Sequence, residues 1–430
     1  MNNSNGLKLA TLAASIALAM ASTAALAAAP AATPLPGAGT VAVGSATAGA
    51  ITNGAQTITL GGNTVINWGT GASGTINTTQ PGGFNIGSGA SLAFGGTGAV
   101  LNVDVSGNAS QIFGGLSSSA GNLFVANANG IIVGPAATIS STTGNVGLIA
   151  NTLGATSGFD GTIASVGYNG TGGNVTVQTG AGIDGTNVLI SGGGIVNVDL
   201  STLTGGNVTL SAGLANAGGA LDTTNPNASL VVSGTQGAAT LAGFASAGNA
   251  SNSGTLTLGS DAEVGGTLTN SGQITTTGGI YVTGGDLVNS GQISTNGTSV
   301  TAGNLVNGGA ITGGGWVSVV DGSITNNGSM AVISVGATNG SIVNNGTITH
   351  ADNFQTYSNA QDPLFTEGAD YSITNNGTIT SPDYLDFYAN VQGNQTSKAG
   401  TSGVLNGSTG SFTNTGTLQV ASNDAYLDAY

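Results

Sequence analysis

Apolar and polar residues alternate along most of this chain in runs of three or four. Val208-Thr209-Leu210, Gln273-Ile274-Thr275 and Thr347-Ile348-Thr349 show the pattern. A period of two sends successive side chains to opposite faces of a strand. The runs recur in register with a five-residue phrase, Asn-x-Gly-x-(Ile/Leu/Met). It begins at Asn252, Asn270, Asn289, Asn307, Asn326 and Asn344, with spacings of 18, 19, 18, 19 and 18 residues, and again at Asn375 and Asn414. A repeat this short has no room for a βαβ unit and shows no helical periodicity. It predicts an all-β chain, a parallel β-helix of about 18–20 residues per coil.

In such a solenoid each strand pairs with its equivalent one coil on, and inward Ile, Leu and Val stack into a narrow core. The repeated Asn marks one corner of every coil, where equivalent amides stack as a ladder. The Gly-Gly and Asn-Gly pairs between strands predict corners with positive φ. Some twenty coils at about 4.8 Å each predict a rod about 100 Å long.

The register loosens at both ends. From Asn344 to Asn375 and from Asn375 to Asn414 the gaps widen, which predicts loops inserted at about 352–370 and 381–403. Residues 350–430 hold six of the eight Tyr, four of the ten Phe and eight of the seventeen acids. Tyr357, Phe365, Tyr384, Phe387 and Tyr388 are therefore candidate interface residues, since exposed aromatics mark contact surfaces. The predicted division is 30–155, less periodic; 156–349, regular repeats; and 350–430, repeats with insertions.

Composition narrows the function. Charged residues are 4% of the 430, with 2 Lys+Arg against 17 Asp+Glu and a formal net charge of -15. Neutralising phosphates takes several basic residues per site, so nucleic-acid binding is excluded. A hydrophobic share of 39% and 78 Gly against 8 Pro argue against both disorder and a Pro-rich linker. With no cysteine there is no disulfide framework and no thiol chemistry.

At the N-terminus, Lys8 precedes an apolar stretch over 9–21 and small residues around Ala25-Leu26-Ala27-Ala28-Ala29. This is the layout of a secretory signal peptide, residues 1–29.

Residues 35–153 carry a distinctive series of phrases. Val65-Ile66-Asn67-Trp68, Phe84-Asn85-Ile86-Gly87 and Ser110-Gln111-Ile112-Phe113-Gly114 come first. Leu123-Phe124-Val125-Ala126-Asn127-Ala128-Asn129-Gly130-Ile131 and Gly147-Leu148-Ile149-Ala150-Asn151 follow. In order and spacing they resemble the secretion domain of the filamentous-haemagglutinin family, the exoproteins of bacterial two-partner secretion. The resemblance implies a right-handed β-helix, export through the periplasm of a Gram-negative bacterium, and an outer-membrane barrel with POTRA domains as partner. The family's Asn-Pro-Asn-Gly-Ile motif maps onto Asn127, Ala128, Asn129, Gly130 and Ile131, with Ala128 in place of the proline. The family's second motif, Asn-Pro-Asn-Leu, has no copy here. Asn67, Trp68, Asn127, Asn129, Gly130 and Ile131 are thus candidate secretion-motif residues. Read from the residues alone, Asn129-Gly130 is a turn, with Asn127 placed to bond its backbone.

Catalysis finds little support. Acid–base chemistry needs clustered groups, yet Asp104, Asp160, Asp184, Asp199, Asp222, Asp286 and Asp321 are scattered. Asp261 and Glu263 share a strand face, and Asp383 and Asp386 lie beside Tyr384 and Tyr388. The single histidine, His350, reads as a solvated corner at the end of a coil. No cofactor is expected. Calcium is the one cation class to consider, with Asp362, Glu367, Asp370, Asp383 and Asp386 as candidates; the alternative is that these acids keep a polar rod soluble.

The expectation is a secreted or surface-exposed adhesin or biofilm matrix protein. Its contacts would be a host or neighbouring cell, a polysaccharide, or another copy. An alternative is a fibre or coat subunit stacking end to end through open coil edges. A carbohydrate-active enzyme is a third class.

Overall fold

In the computed structural model the described residues are 30–70, 76–215, 225–350, 364–367, 372–381, 387–391 and 411–420. They form a parallel β-helix, as the alternation and the repeat predict. Helix among the described residues is confined to three single 3-10 turns, Thr156–Gly158, Ile163–Ser165 and Leu200–Thr202. Among the described residues no helix is long and apolar enough to cross a membrane.

Three sheets run along the stack, of 6, 14 and 24 strands. One early coil shows the path: Asn85–Ile86 lies in the second sheet, Ser91–Thr97 in the first and Val100–Asp104 in the third. Strands of successive coils pair in parallel apart from the N-terminal cap and the Tyr168–Gly172 return, so Val100 meets Leu123 and Leu123 meets Val146. At Thr240–Ser246 the plan changes. This strand pairs both with Thr255–Leu258 and with Ala262–Val264. From there the third sheet carries two strands per coil; the separate first sheet has already ended at Gly182–Asp184.

The core is one apolar column from Leu35 to Ile379. Its regularity follows from the repeat. Leu268, Leu287, Leu305, Ile324, Ile342 and Ile373 stack coil on coil. Ile274, Ile293, Ile311, Met330, Ile348 and Ile379 make a second column. Each buried aliphatic side chain contributes about 1.5–3 kcal/mol relative to exposure, so the count of rungs sets the driving force.

Four expectations need correction. The 14-stranded sheet spans about 60 Å at 4.8 Å per step, well short of 100 Å. Early coils are long; Ile131 finds its partner only at Val175, because a side excursion intervenes. Next, positive φ occurs in Asn-Gly and Gly-Gly pairs such as Gly54, Gly83, Gly96 and Gly206, but not at the glycines of the Asn-x-Gly phrase. Those are needed for close approach instead. A Cβ on Gly272, Gly291, Gly309, Gly328 or Gly346 would stand 1.9–2.0 Å from the carbonyl oxygen of the equivalent glycine one coil earlier.

The N-terminal end is also not an open coil edge. Thr40–Val43 pairs antiparallel with Thr64–Trp68, and Ala46–Ala48 pairs antiparallel with Ala55–Gly61. Lastly, part of each presumed C-terminal loop is strand. Leu364–Glu367 pairs with Ser334–Thr338, and Phe387–Val391 pairs with Leu364–Glu367. The insertions are shorter than the widened spacing suggested, because the third sheet resumes within them.

Candidate functional site

The resemblance-bearing residues converge on a buried polar line at the third sheet. Trp68 ends the strand Thr64–Trp68 and is wholly buried. Its Nε1 donates to Asn102 Oδ1 at 3.0 Å, and Asn102 Nδ2 donates to the Phe124 carbonyl at 3.2 Å. The indole meets Phe84 edge to face at 5.8 Å, a geometry aromatic pairs prefer. Asn67, next to Trp68, is half-buried and sits between Thr40 on the cap and Val103 on the next coil.

Two residues beyond Asn102, Asp104 points the same way and is 4% exposed. Its Oδ2 accepts from the Phe84 backbone N and from Ser110 Oγ, both at 2.8 Å, and its Oδ1 accepts from Ser106 N at 3.0 Å. A buried carboxylate needs such donors, since an unpaired charge would cost several kcal/mol. Ser110 Oγ in turn accepts from Asn127 Nδ2 at 2.9 Å.

Asn127 shapes the turn as its sequence position implied. Its Nδ2 also donates to the Asn108 carbonyl at 2.7 Å, and its Oδ1 accepts from Asn129 N at 2.8 Å. Gly130 N donates to the Asn127 carbonyl at 2.9 Å with φ at 120°, a conformation that excludes most side chains. Ala128 and Asn129 are exposed at the tip, and Ile131 re-enters the core. Asp104, Ser110, Asn127 and Asn129 are one hydrogen-bonded chain from the core to the surface.

Asn102, Asp104 and Ser110 were not singled out from the sequence. For Asn102 and Asp104 the signal is a polar residue at inward positions of Val100-Leu101-Asn102-Val103-Asp104, where alternation calls for apolar ones.

A second layer covers this region from outside. Val65, Leu101, Phe124, Ile149 and Leu189 form an apolar cluster apart from the main core. It is closed by an excursion that leaves after Val146–Leu153 and returns antiparallel through Tyr168–Gly172. Phe159 packs edge to face on Phe124 at 6.2 Å. The excursion is tied across coils by Asn122 Nδ2, which donates to the Gly161 carbonyl at 2.8 Å, and by Asn63 Nδ2, which donates to the Asp160 carbonyl. Hydrogen bonds from the Thr162 hydroxyl and then the Thr162 backbone hold the Asp160 carboxyl below its usual pKa. Burial pushes the Tyr168 phenol up to about 12.

The scattered acids serve the backbone. Asp261 Oδ1 accepts from Gly279 N and Asp286 Oδ1 from Asn304 N, each at 2.7 Å. Asp199 accepts from Ser201 N, Ser201 Oγ and Thr179 Oγ1. Burial raises its pKa, but these hydrogen bonds outweigh that and leave it below the usual value. His350 is a correction. Its strand, Thr347–His350, runs one residue further than expected, pairs His350 with Val332 and turns the imidazole inward at 8% exposure.

The repeated asparagines form the expected ladder. Asn252, Asn270, Asn289, Asn307, Asn326, Asn344 and Asn375 are buried, and each Nδ2 donates to the next Oδ1 at 2.7–2.8 Å, ending on Asn414. A second file runs just before the second-sheet strands. Asn249, Thr267, Asp286, Asn304, Ser323 and Ser341 each accept a backbone N–H from the next coil.

Among the described residues no three His, Asp or Glu gather as a metal-binding group. The predicted signal peptide, Tyr357, Asp362, Asp370, Asp383, Tyr384 and Asp386 lie outside the described residues. Phe365, Glu367, Phe387 and Tyr388 are placed by strand register alone.

No family model matches the chain, and no curated protein matches it. A solved structure that is similar is the crystal structure of the HMW1 secretion domain from Haemophilus influenzae. The match has 16% identity, covers 89% of this chain and 99% of that chain, and has a TM-score of 0.37.

Proposed function

We propose that this is a secreted β-helical exoprotein exported by a two-partner system and acting at or beyond the cell surface in adhesion or a biofilm matrix. The observation that carries the reading is the line Asp104–Ser110–Asn127–Asn129. The phrases that resemble a secretion domain converge in one capped N-terminal region, with the Ala128-Asn129 tip exposed. A barrel carrying POTRA domains is the partner this reading requires. The chain suits that route, with no cysteine to cross-link and few charges to hold it back. Catalysis and a bound cation are not part of the reading, since the described acids are occupied with backbone N–H groups or stand apart. End-to-end fibre growth through open coils is disfavoured by the antiparallel cap.

The test is export of the full chain from a Gram-negative host with and without a POTRA-bearing barrel from the same gene neighbourhood. Folded protein in the medium or on the surface is expected only with the barrel. Asn127→Ala should reduce that export at least fivefold. Equal export without any barrel overturns the reading.

A further inference from the structure

The strand Trp316–Val320 places the exposed residue Trp316 on the outer face of the third sheet, at 37% exposure. A large apolar side chain set in a polar surface calls for a partner when its neighbours form a platform. They do so here. The indole covers Gly297 on the adjacent strand; a Cβ there would stand 2.7 Å from Cε2 and 2.9 Å from Nε1. Tyr281 covers Gly279 in the same way, with a Cβ 2.7 Å from the phenol oxygen. Gly279 pairs directly with Gly297, so the two rings lie over adjacent strands, about 4.8 Å apart along the rod. Glycine at both positions lets each ring lie low against the sheet, leaving the outer ring surfaces for a ligand.

The register extends the platform in both directions. Glu263 pairs with Tyr281 and is half-buried on the same face. Tyr281 pairs with Ser299, Ser299 with Ser318, and Ser318 with Gly336. The same column then continues to Phe365 and Tyr388. Two rings over the paired glycines, with hydroxyls and a carboxylate on the column beside them, suit a linear chain of sugar rings. Rings stack on aromatic faces, and hydroxyls or amines take the polar groups.

Charge selects among sugars. No lysine or arginine lies among the described residues, and the whole chain is acidic. A polyanionic glycan is repelled along the rod, while an amine-bearing one is drawn in. Asp261 is already engaged with Gly279 N, which leaves Glu263 as the carboxylate on the platform.

From this we infer that the outer face of the third sheet, centred on Trp316, Tyr281 and Glu263, is a binding site for a polysaccharide of amino sugars. This deepens the adhesion reading and rests on it for its biological setting. Its chemistry is tested separately.

Calorimetry on the purified full chain, with a glucosamine oligomer as probe, decides it. An N-acetylated oligomer and a polyuronate of equal length serve as comparisons. Saturable binding of the glucosamine oligomer is expected, at least tenfold tighter than either comparison and weakening as salt is raised. Trp316→Ala and Tyr281→Ala should each weaken it at least tenfold. Glu263→Gln should weaken the glucosamine oligomer at least threefold and leave the N-acetylated one unchanged. No measurable binding, equal binding of the polyuronate, or full affinity in Trp316→Ala overturns the inference. All three variants should be exported as well as the parent. A variant that binds poorly but is exported normally separates this site from the export reading, whose own failure would leave binding by refolded protein intact.

Discussion

The solenoid is held in two ways along its length, and the difference shows what each stretch of sequence is for. Between Leu35 and about residue 215 every coil is different. Its core contains Trp68, Phe84 and Phe94, its polar groups are paired singly, and an outer clasp buries a second apolar layer. Between Asn249 and His350 the coils are near copies. One amide, one glycine and two aliphatic positions recur, and the hydrogen bonds recur with them. The first region gains specificity from unlike neighbours, as a globular core does. The second gains stability from nearest-neighbour repetition. A recognition element suits the first kind of construction, and a rod presenting a repeated surface suits the second.

Variants at one position in each region should therefore act locally. The largest effect is expected from Phe159→Ala, which uncovers the outer layer at Phe124 and should cost about 3–5 kcal/mol. Proteolysis should then open the excursion near 154–172 while the coils beyond 249 stay resistant. Gly309→Ala places a methyl 1.9 Å from the Gly291 carbonyl oxygen, and forcing the rung apart should cost about 3 kcal/mol. Gly259→Ala, whose nearest neighbour atom is at 3.7 Å, is the matched control and should unfold in denaturant close to the parent. Asp104→Asn keeps the shape but weakens three hydrogen bonds to a charged acceptor. It should cost about 2 kcal/mol, measured by thermal unfolding, and reduce barrel-dependent export with it.

The smallest effect is pH-dependent and confined to the clasp. The folded-state pKa of Tyr168, about 12, lies above the usual tyrosine value of 10.0. The stability from keeping the phenol neutral is fully present below pH 10 and is lost as pH rises toward 12. Fluorescence-monitored unfolding should show that loss in the parent and a weaker one in Tyr168→Phe.

Much of the second region was legible from its sequence, because stacked coils repeat the same physical problem. The Asn-x-Gly spacing revealed the coil length, the inward column and the amide ladder. The first region was less so. Alternation identifies one buried face, but Val65, Leu101 and Phe124 are buried on the other face by a segment distant in sequence. Asp104 looked like one scattered acid because Phe84 N reaches it only when the coil closes, although Ser106 N and Ser110 Oγ are near it in sequence. The Asn127 turn was readable, since its bonds to Asn129 are local. The constraint on the glycine of the repeat is the carbonyl one coil below, a contact no local window contains. Trp316 and Tyr281 were passed over for a similar reason. They lie 35 residues apart on neighbouring columns, and only the register brings their rings over the paired glycines Gly279 and Gly297.

Hydrogen-exchange mass spectrometry on Asn307→Leu tests the two-part construction most directly. The substitution removes the donor to Asn326 Oδ1 and one acceptor of Asn289 Nδ2, which keeps only the Gly291 and Ala310 carbonyls. The buried acceptor left without its donor costs about 1–3 kcal/mol. Protection should fall across the rungs from Asn289 to Asn344 and stay at parental level from Phe84 to Leu153. Equal loss of protection in both regions, or none in either, would contradict the account.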